Sequence, residues 1–322
     1  MALRQWNTVG MALSRRQPSL REVFRDNPPA RILVIRTDRV GDLILSTPFL
    51  ASLREQFPQA EIVAWVAPYC EHVLEKTGLV DQVVTSLPSG YFNLAVSLAP
   101  RSESLKNALA SAAPVRVGYV YSGRPLVRLL AKRCLTHCSV VKVDPPEQVE
   151  HEVEHLDRMA RSLGLPPSAN RRLTLGRSYQ KKDWSVLHLG DRWFTKDWDV
   201  EHLIRLCYGL ETFGRLVVTA GPREQRLVAR GGFEEFDLRT GLRFEEWCQL
   251  IGESRLLISP DTGAVHVAAA LGTPVVVAYE RESYDHCSVQ WRPWMVDYRA
   301  LAKGQPEPTL RGLLKAAEEM LR

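Results

Sequence analysis

LLISPDTGAVHVAAALGTPVVVAY, residues Leu256 to Tyr279, fixes the fold class of this chain. An apolar run over Leu256, Leu257 and Ile258 stops at Ser259-Pro260-Asp261, an alanine-rich helical pattern runs from Thr262 to Leu271, and Gly272-Thr273-Pro274 opens a β-branched run from Val275 to Val277. The order is strand, tight turn, short helix, strand. Asp261 and Thr262 are N-cap residue types, and Gly263 leaves the first-turn N–H groups without a side chain in front of them. A helix start with free donors and a positive dipole end suits a phosphate. An ordinary helix cap explains the same residues, and on this stretch alone both readings stand.

Outward from it, the same alternation repeats. On the N-terminal side lie strand Trp184 to Leu189, helix Val200 to Phe213, strand Leu216 to Thr219, and helices Glu224 to Arg230 and Phe244 to Gly252. Further upstream, Arg31 to Arg36 (RILVIR) reads as a buried strand, followed by a turn and a helix from Asp42 that Pro58 ends. Strands at Glu61 to Val66, Gln82 to Ser86, Leu94 to Leu98 and Val115 to Tyr119 alternate with helices at Tyr69 to Lys76, Glu103 to Ala112 and His151 to Leu163. Strands alternating with helices mean parallel, helix-covered sheets. Pro166-Pro167-Ser168-Ala169-Asn170 is the best linker. The division is an extension over 1–30, a Rossmann-like unit over 31–165 and a second over 172–322, with a cleft between them at the carboxyl ends of the strands. The last helix, Leu310 to Leu321, carries an apolar face expected to pack back across the junction.

The 322 residues are 45% hydrophobic and 25% charged, as in a soluble globular protein. No apolar run approaches the roughly 18 residues of a membrane span. The arginine-bearing N-terminus lacks the pattern of a secretory signal, so a cytoplasmic location is expected. The six cysteines are scattered and read as reduced thiols; Cys134, His137 and Cys138 lie together, but no second ligand pair follows at metal-site spacing. Between Gln82 and Lys142 eight bases face one acid, Glu103. Such a stretch suits a phosphorylated lipid headgroup, a membrane surface or nucleic acid, and is also what a solvated basic face looks like.

The candidates for chemistry sit at strand ends. Asp42, after Gly41, is placed to accept a proton from an incoming hydroxyl, or merely to cap a helix. Lys196, beyond His188-Leu189-Gly190, is placed to neutralise phosphate charge. Asp197-Trp198-Asp199 has the D-x-D form of some metal-dependent transferases but falls on a helix start, where capping accounts for it. No G-x-G-x-x-G follows either unit's first strand and there is no Walker-type loop, which counts against dinucleotide oxidoreductases and P-loop enzymes. Gly221-Pro222-Arg223-Glu224 forms a further turn at the same sheet edge.

Three stretches carry a family resemblance. ILVIRTDRVGDLILSTPFLASLREQFPQAEI resembles the opening strand, Gly-Asp turn and Thr-Pro helix of the bacterial heptosyltransferases of glycosyltransferase family nine. RVGYVYSGRPLVRLLAKR and HEVEHLDRMARSLGLP are similar to the middle of that family, and SPDTGAVHVAAALGTPVVV to its donor-site signature. The resemblance implies a GT-B-type fold, with acceptor on the first unit and nucleotide sugar on the second. It implies Asp42 as general base of a metal-independent, inverting transfer, with Lys196 near the donor phosphates and Asp261 near the sugar hydroxyls. Thr262 and Gly263 would hold the diphosphate and His266 completes the motif. Gly41, Gly221, Glu224 and Ala264 complete the expected donor site, and Arg101, Arg124 and Arg128 are the expected acceptor contacts. Two loops depart from the family pattern: Glu280 to Tyr284 replaces a glycine and Thr-x-Pro turn, and Leu189-Gly190-Asp191-Arg192 replaces a Pro-Gly turn.

The expected function is therefore transfer of a sugar, heptose from ADP-heptose in the family, to an anionic glycolipid of the lipopolysaccharide-core type at the inner membrane surface. No cofactor, metal or nucleic-acid partner is expected. The rivals are a same-fold transferase using another nucleotide sugar on a protein or polysaccharide, and a non-catalytic sugar-nucleotide binder.

Overall fold

Two wholly parallel sheets of six strands each organise the chain in a computed structural model that describes residues 19–142, 149–194, 197–221, 224, 228 and 231–322. The first contains β1 (Arg31–Arg36), β2 (Glu61–Val66), β3 (Gln82–Val84), β4 (Leu94–Ser97), β5 (Val115–Tyr121) and β6 (His137–Val141), in the order β3-β2-β1-β4-β5-β6. The second contains β7 (Trp184–Leu189), β8 (Arg215–Ala220), β9 (Asp237–Thr240), β10 (Leu256–Pro260), β11 (Val275–Glu280) and β12 (Tyr298–Lys303), in the order β12-β11-β10-β7-β8-β9. The central strands are continuous apolar runs because helices cover both their faces. The strand order reverses between β1 and β4 in one sheet and between β7 and β10 in the other, the points where such sheets open a crevice for ligand.

The first sheet carries α1 (Leu20–Val23), α2 (Val40–Leu45), α3 (Thr47–Gln56), α4 (Ser102–Ala110), α5 (Pro125–Cys134) and α6 (Glu152–Ser162). The helix expected from Asp42 onward is broken at Ser46, where the Ser46 hydroxyl donates to the Asp42 carbonyl at 2.8 Å and Pro48, in the next helix's first turn, cannot continue the hydrogen-bond ladder. Pro68–Val73 forms a 3₁₀ helix where a longer helix was expected. Helix α5 and strand β6, an outer strand of the first sheet, were not among the expected elements.

The second sheet carries α7 (Val200–Glu211), α8 (Phe244–Glu253), α9 (Gly263–Ala270), α10 (Tyr284–Gln290) and α11 (Pro306–Leu321). Asp199, the second aspartate of the D-x-D, caps α7, accepting from the His202 N–H at 3.2 Å. The helix expected over Glu224 to Arg230 falls largely outside the described residues. Helix α11 does not pack across the junction as expected: Leu310, Leu313, Ala316 and Ala317 are buried in the second sheet's own core with Leu256, Ile258 and Val276.

A single apolar cluster spans both halves, joining Val34 and Leu94 to Leu257, Ala264 and Val275. Its bridge is the contact of α2 with α9, the helices that follow β1 and β10. The linker is tied down along α3: the Ser168 N–H donates to Ser52 Oγ at 2.6 Å and the Thr174 N–H to Thr47 Oγ1 at 3.1 Å. The two halves are thus held with their switch points facing.

Candidate active site

Both switch points open into one cavity of about 380 Å³. The first half contributes Arg36 at the end of β1 with Asp38, Arg39, Gly41 and Asp42 after it, Arg101 after β4, Tyr121 and Arg124 near the end of β5, and Glu152 of α6. The second contributes Asp191 and Arg192 after β7, Asp261, Thr262, Gly263 and His266 after β10, and Trp291 just beyond α10.

Arg36 ends a buried strand and is itself only 2% exposed, so its charge requires partners. It has three: Asp38 at 3.0 Å, Asp42 at 3.2 Å and Glu152 at 3.6 Å. Burial pushes Glu152 up, but hydrogen bonding to His155, the Arg36 charge and the Tyr119 hydroxyl outweigh it and hold Glu152 down to about 2. The Tyr119 hydroxyl donates to Glu152 Oε1 at 2.5 Å, and Gln290 of the second half donates to Oε2 at 3.1 Å. Glu152 therefore stays charged, and one guanidinium faces several carboxylates. The consequence falls on Asp42: burial, with Asp38 and Glu152 adding to it, raises its carboxyl to about 6 against the opposing pull of Arg36 and Arg39.

Across the cavity, helix α9 starts at Thr262, which is extended and makes no side-chain cap bond, its hydroxyl lying 3.2 Å from Ser259 Oγ. Asp261, raised by burial and lowered by Arg192, is ion-paired with Arg192. The Arg192 loop is held from beneath by Lys303, which is buried, pairs with Glu280 at 2.7 Å and donates to the Arg192 and Trp193 carbonyls. His266 is buried and burial lowers it to about 4, so the imidazole is neutral at pH 7, and its Nδ1 has no hydrogen-bond partner among the described residues. The arrangement joins a weakly acidic carboxylate, a neutral imidazole, a bare helix start and several guanidinium groups, which together can receive a proton on one side and stabilise a departing anion on the other.

Of the expected site residues, the fold brings together Gly41, Asp42, Arg101, Arg124, Asp261, Thr262, Gly263 and His266. Four others do not line the cavity: Gly221 and Glu224 lie after β8, with Glu224 Oε2 2.5 Å from where a Gly221 Cβ would stand, Ala264 is fully buried inside α9, and Arg128 is exposed further along α5. These four are set apart because the turn after β8 folds on itself, Ala264 points into the shared core, and Arg128 follows Arg124 by one helical turn. Lys196 lies outside the described residues. Gly41 lines the wall for a steric reason: a Cβ there would stand 2.5 Å from His266 Cδ2 and 3.4 Å from the Gly263 Cα, so it is the point where α2 and α9 touch. Sequence reasoning missed Arg36, Arg39, Glu152 and Arg192. A charged residue closing the apolar run RILVIR was the available sign for Arg36; Glu152 lies 110 residues after Asp42 and carries no local sign.

Two parallel sheets facing one cleft across their switch points define a GT-B-like glycosyltransferase fold. A family model for glycosyltransferase family 9 (heptosyltransferase) matches residues 102–312, and the chain belongs to that family. The crystal structure of a glycosyl transferase family 9 protein from Veillonella parvula superposes with a TM-score of 0.73 at 19% identity, covering 91% of this chain and 97% of that one. The E. coli heptosyltransferase WaaC with ADP gives 0.70 at 17% identity, covering 90% and 99%. E. coli ADP-heptose lps heptosyltransferase II gives 0.68 at 20% identity, covering 90% and 98%. At these identities the likeness speaks for the fold. No curated protein matches by sequence.

Proposed function

We propose that the chain transfers heptose from ADP-heptose, with inversion and without a metal, to an anionic glycolipid acceptor of the lipopolysaccharide-core type at the cytoplasmic face of the membrane. The observation that carries this reading is Asp42, raised to about 6 and sharing one cavity with the bare start of α9 and Arg192. Residues 31–165 bind the acceptor and residues 172–322 the donor. The acceptor hydroxyl gives its proton to Asp42 as its oxygen attacks the anomeric carbon, and the bond from that carbon to the diphosphate breaks on the opposite face. The charge of the departing nucleoside diphosphate is met by Arg192, the N–H groups of Thr262 and Gly263, and Lys196, which together do the work that other transferases give to a metal. Asp261 and His266 orient the sugar, and Arg101 and Arg124 meet acceptor phosphate. The WaaC structures with ADP and with ADP-2-deoxy-2-fluoro heptose suggest the donor class.

A second reading, the same chemistry with another nucleotide sugar, draws on two loops that depart from the family pattern: Leu189 to Arg192, which lines the cavity through Asp191 and Arg192, and Glu280 to Tyr284, whose Glu280 pairs with the Lys303 that supports the Arg192 loop. Thermal stabilisation by a panel of nucleoside diphosphates and nucleotide sugars tests both, since a ligand at 100 times its Kd adds about 2.7 kcal/mol. Selective stabilisation by ADP and ADP-heptose, with transfer lost and donor binding kept in Asp42→Asn, is the expected result. A preference for UDP, GDP or a deoxysugar nucleotide moves the function to the second reading. Binding without turnover in the unaltered protein would leave a sugar-nucleotide binder.

A further inference from the structure

Helices α4 and α5 lie side by side over one face of the first sheet, burying Leu105, Ala108, Ala131 and Cys134 beneath them. Their outer surface is unusual for a soluble protein's covering layer. Leu126 is 81% exposed, Leu129 58% and Leu109 46%. The two α5 leucines stand three positions apart, on one stripe of the helix, while Val127, Leu130, Ala131 and Cys134 take the buried side. Around them stand Lys106, Arg128, Lys132 and Arg133, all exposed and, among the described residues, none in an ion pair. Glu103 is the one acid on the two helices.

Exposed leucines cost solvation and free bases attract counter-ions, so the pair marks a surface with a partner that is apolar beneath an anionic skin. A protein partner would supply acids to bases but does not require leucines interleaved with lysine and arginine along one helix face. A bilayer with anionic headgroups satisfies both at once. The surface also continues into the cavity: Arg101 and Arg124, which precede α4 and α5, line its wall. We infer that the outer face of α4 and α5 seats the protein on an anionic phospholipid bilayer, with Leu126 and Leu129 entering the headgroup layer and the bases around them holding lipid phosphate. This places the cavity mouth at the membrane and rests on the acceptor reading only for its purpose, not for the binding itself.

Flotation of the full-length protein with phosphatidylcholine vesicles, with and without phosphatidylglycerol, tests the inference. Wild type is expected to float with the anionic vesicles and to be released by salt. Leu126→Gln with Leu129→Gln should weaken binding at least tenfold, and Lys132→Gln with Arg133→Gln about 30-fold, near fivefold per base. Both pairs are on the surface, so unchanged melting temperatures certify the fold. Transfer to a delipidated, water-soluble acceptor should remain within twofold, while transfer to acceptor embedded in vesicles falls with the binding. Equal flotation of wild type and both double variants overturns the assignment, as does a dimer in solution that the leucine changes dissolve, or retention on nucleic acid with no vesicle binding. Loss of all transfer with vesicle binding intact would instead count against the proposed function alone.

Discussion

Asp42 touches a guanidinium and still holds its proton more tightly than a free aspartate does, because burial desolvates it, and Asp38 and Glu152, which share that guanidinium, add their repulsion. A base must be deprotonated to work, so the rate of transfer should climb as pH rises through about 6 and level off above it; a profile flat from pH 5 to 8 would remove Asp42 from the base role. The same shift acts on stability with the opposite sense. A carboxyl whose pKa is higher in the folded state than in the unfolded one stabilises the fold below about 4 and loses that contribution as pH rises through about 6. Asp42→Asn is therefore expected to melt above wild type at pH 8, by about 1 to 3 kcal/mol, with the advantage shrinking toward pH 4. Comparative unfolding at the two pH values measures this.

At the scale of elements, the site depends on how closely α2 and α9 approach. Gly41 and Gly263 face one another at the crossing, and the His266 ring fills the space a side chain at position 41 would need. Alanine favours a helix over glycine by about 1 kcal/mol, yet inserting it against a buried ring costs about 1–3 kcal/mol. Gly41→Ala is expected to lower stability in urea unfolding and, under the proposed function, to raise the KM for the donor, since the proposal gives the start of α9 the diphosphate. A more stable Gly41→Ala protein would show that the crossing tolerates an extra carbon. The sequence showed the Gly-Asp turn but not this reason for its glycine, because the ring that fills the space lies 225 residues away at His266.

At the scale of the whole molecule, the halves are tied together behind the site as well as at it. Gln290, buried at the end of α10, donates to Glu152 at 3.1 Å and to the Tyr121 hydroxyl at 3.0 Å, crossing from the second half to the first. Gln290→Ala leaves the buried Glu152 carboxylate and the half-buried Tyr121 hydroxyl each short of a donor and is expected to cost about 1–3 kcal/mol. Glu152 keeps Tyr119, His155 and Arg36, so it stays ionised and the pH midpoint of transfer should remain near 6. A large shift in that midpoint would mean that the base is tuned across the junction. No helix among the described residues is long and apolar enough to cross a membrane, which leaves surface attachment through α4 and α5 to the vesicle measurement.

What the sequence determined by itself is what short spacing encodes. Apolar runs between glycine and proline turns gave parallel sheets, and SPDTGAVH gave a helix start directly after a strand and a tight turn, because strand, turn and cap preferences act over a few residues. Short outer strands such as β6, β9 and β12 escaped, since four to six half-buried residues at a sheet edge carry little apolar signal, and α5 escaped because its apolar residues Leu126 and Leu129 face outward and blur the buried stripe. The tertiary structure alone decided the electrostatics of the site. Arg36, Glu152, Arg192 and Gln290 come from four separate elements or loops, and a carboxyl's proton affinity depends on charges within a few ångströms in space, whatever their distance along the chain.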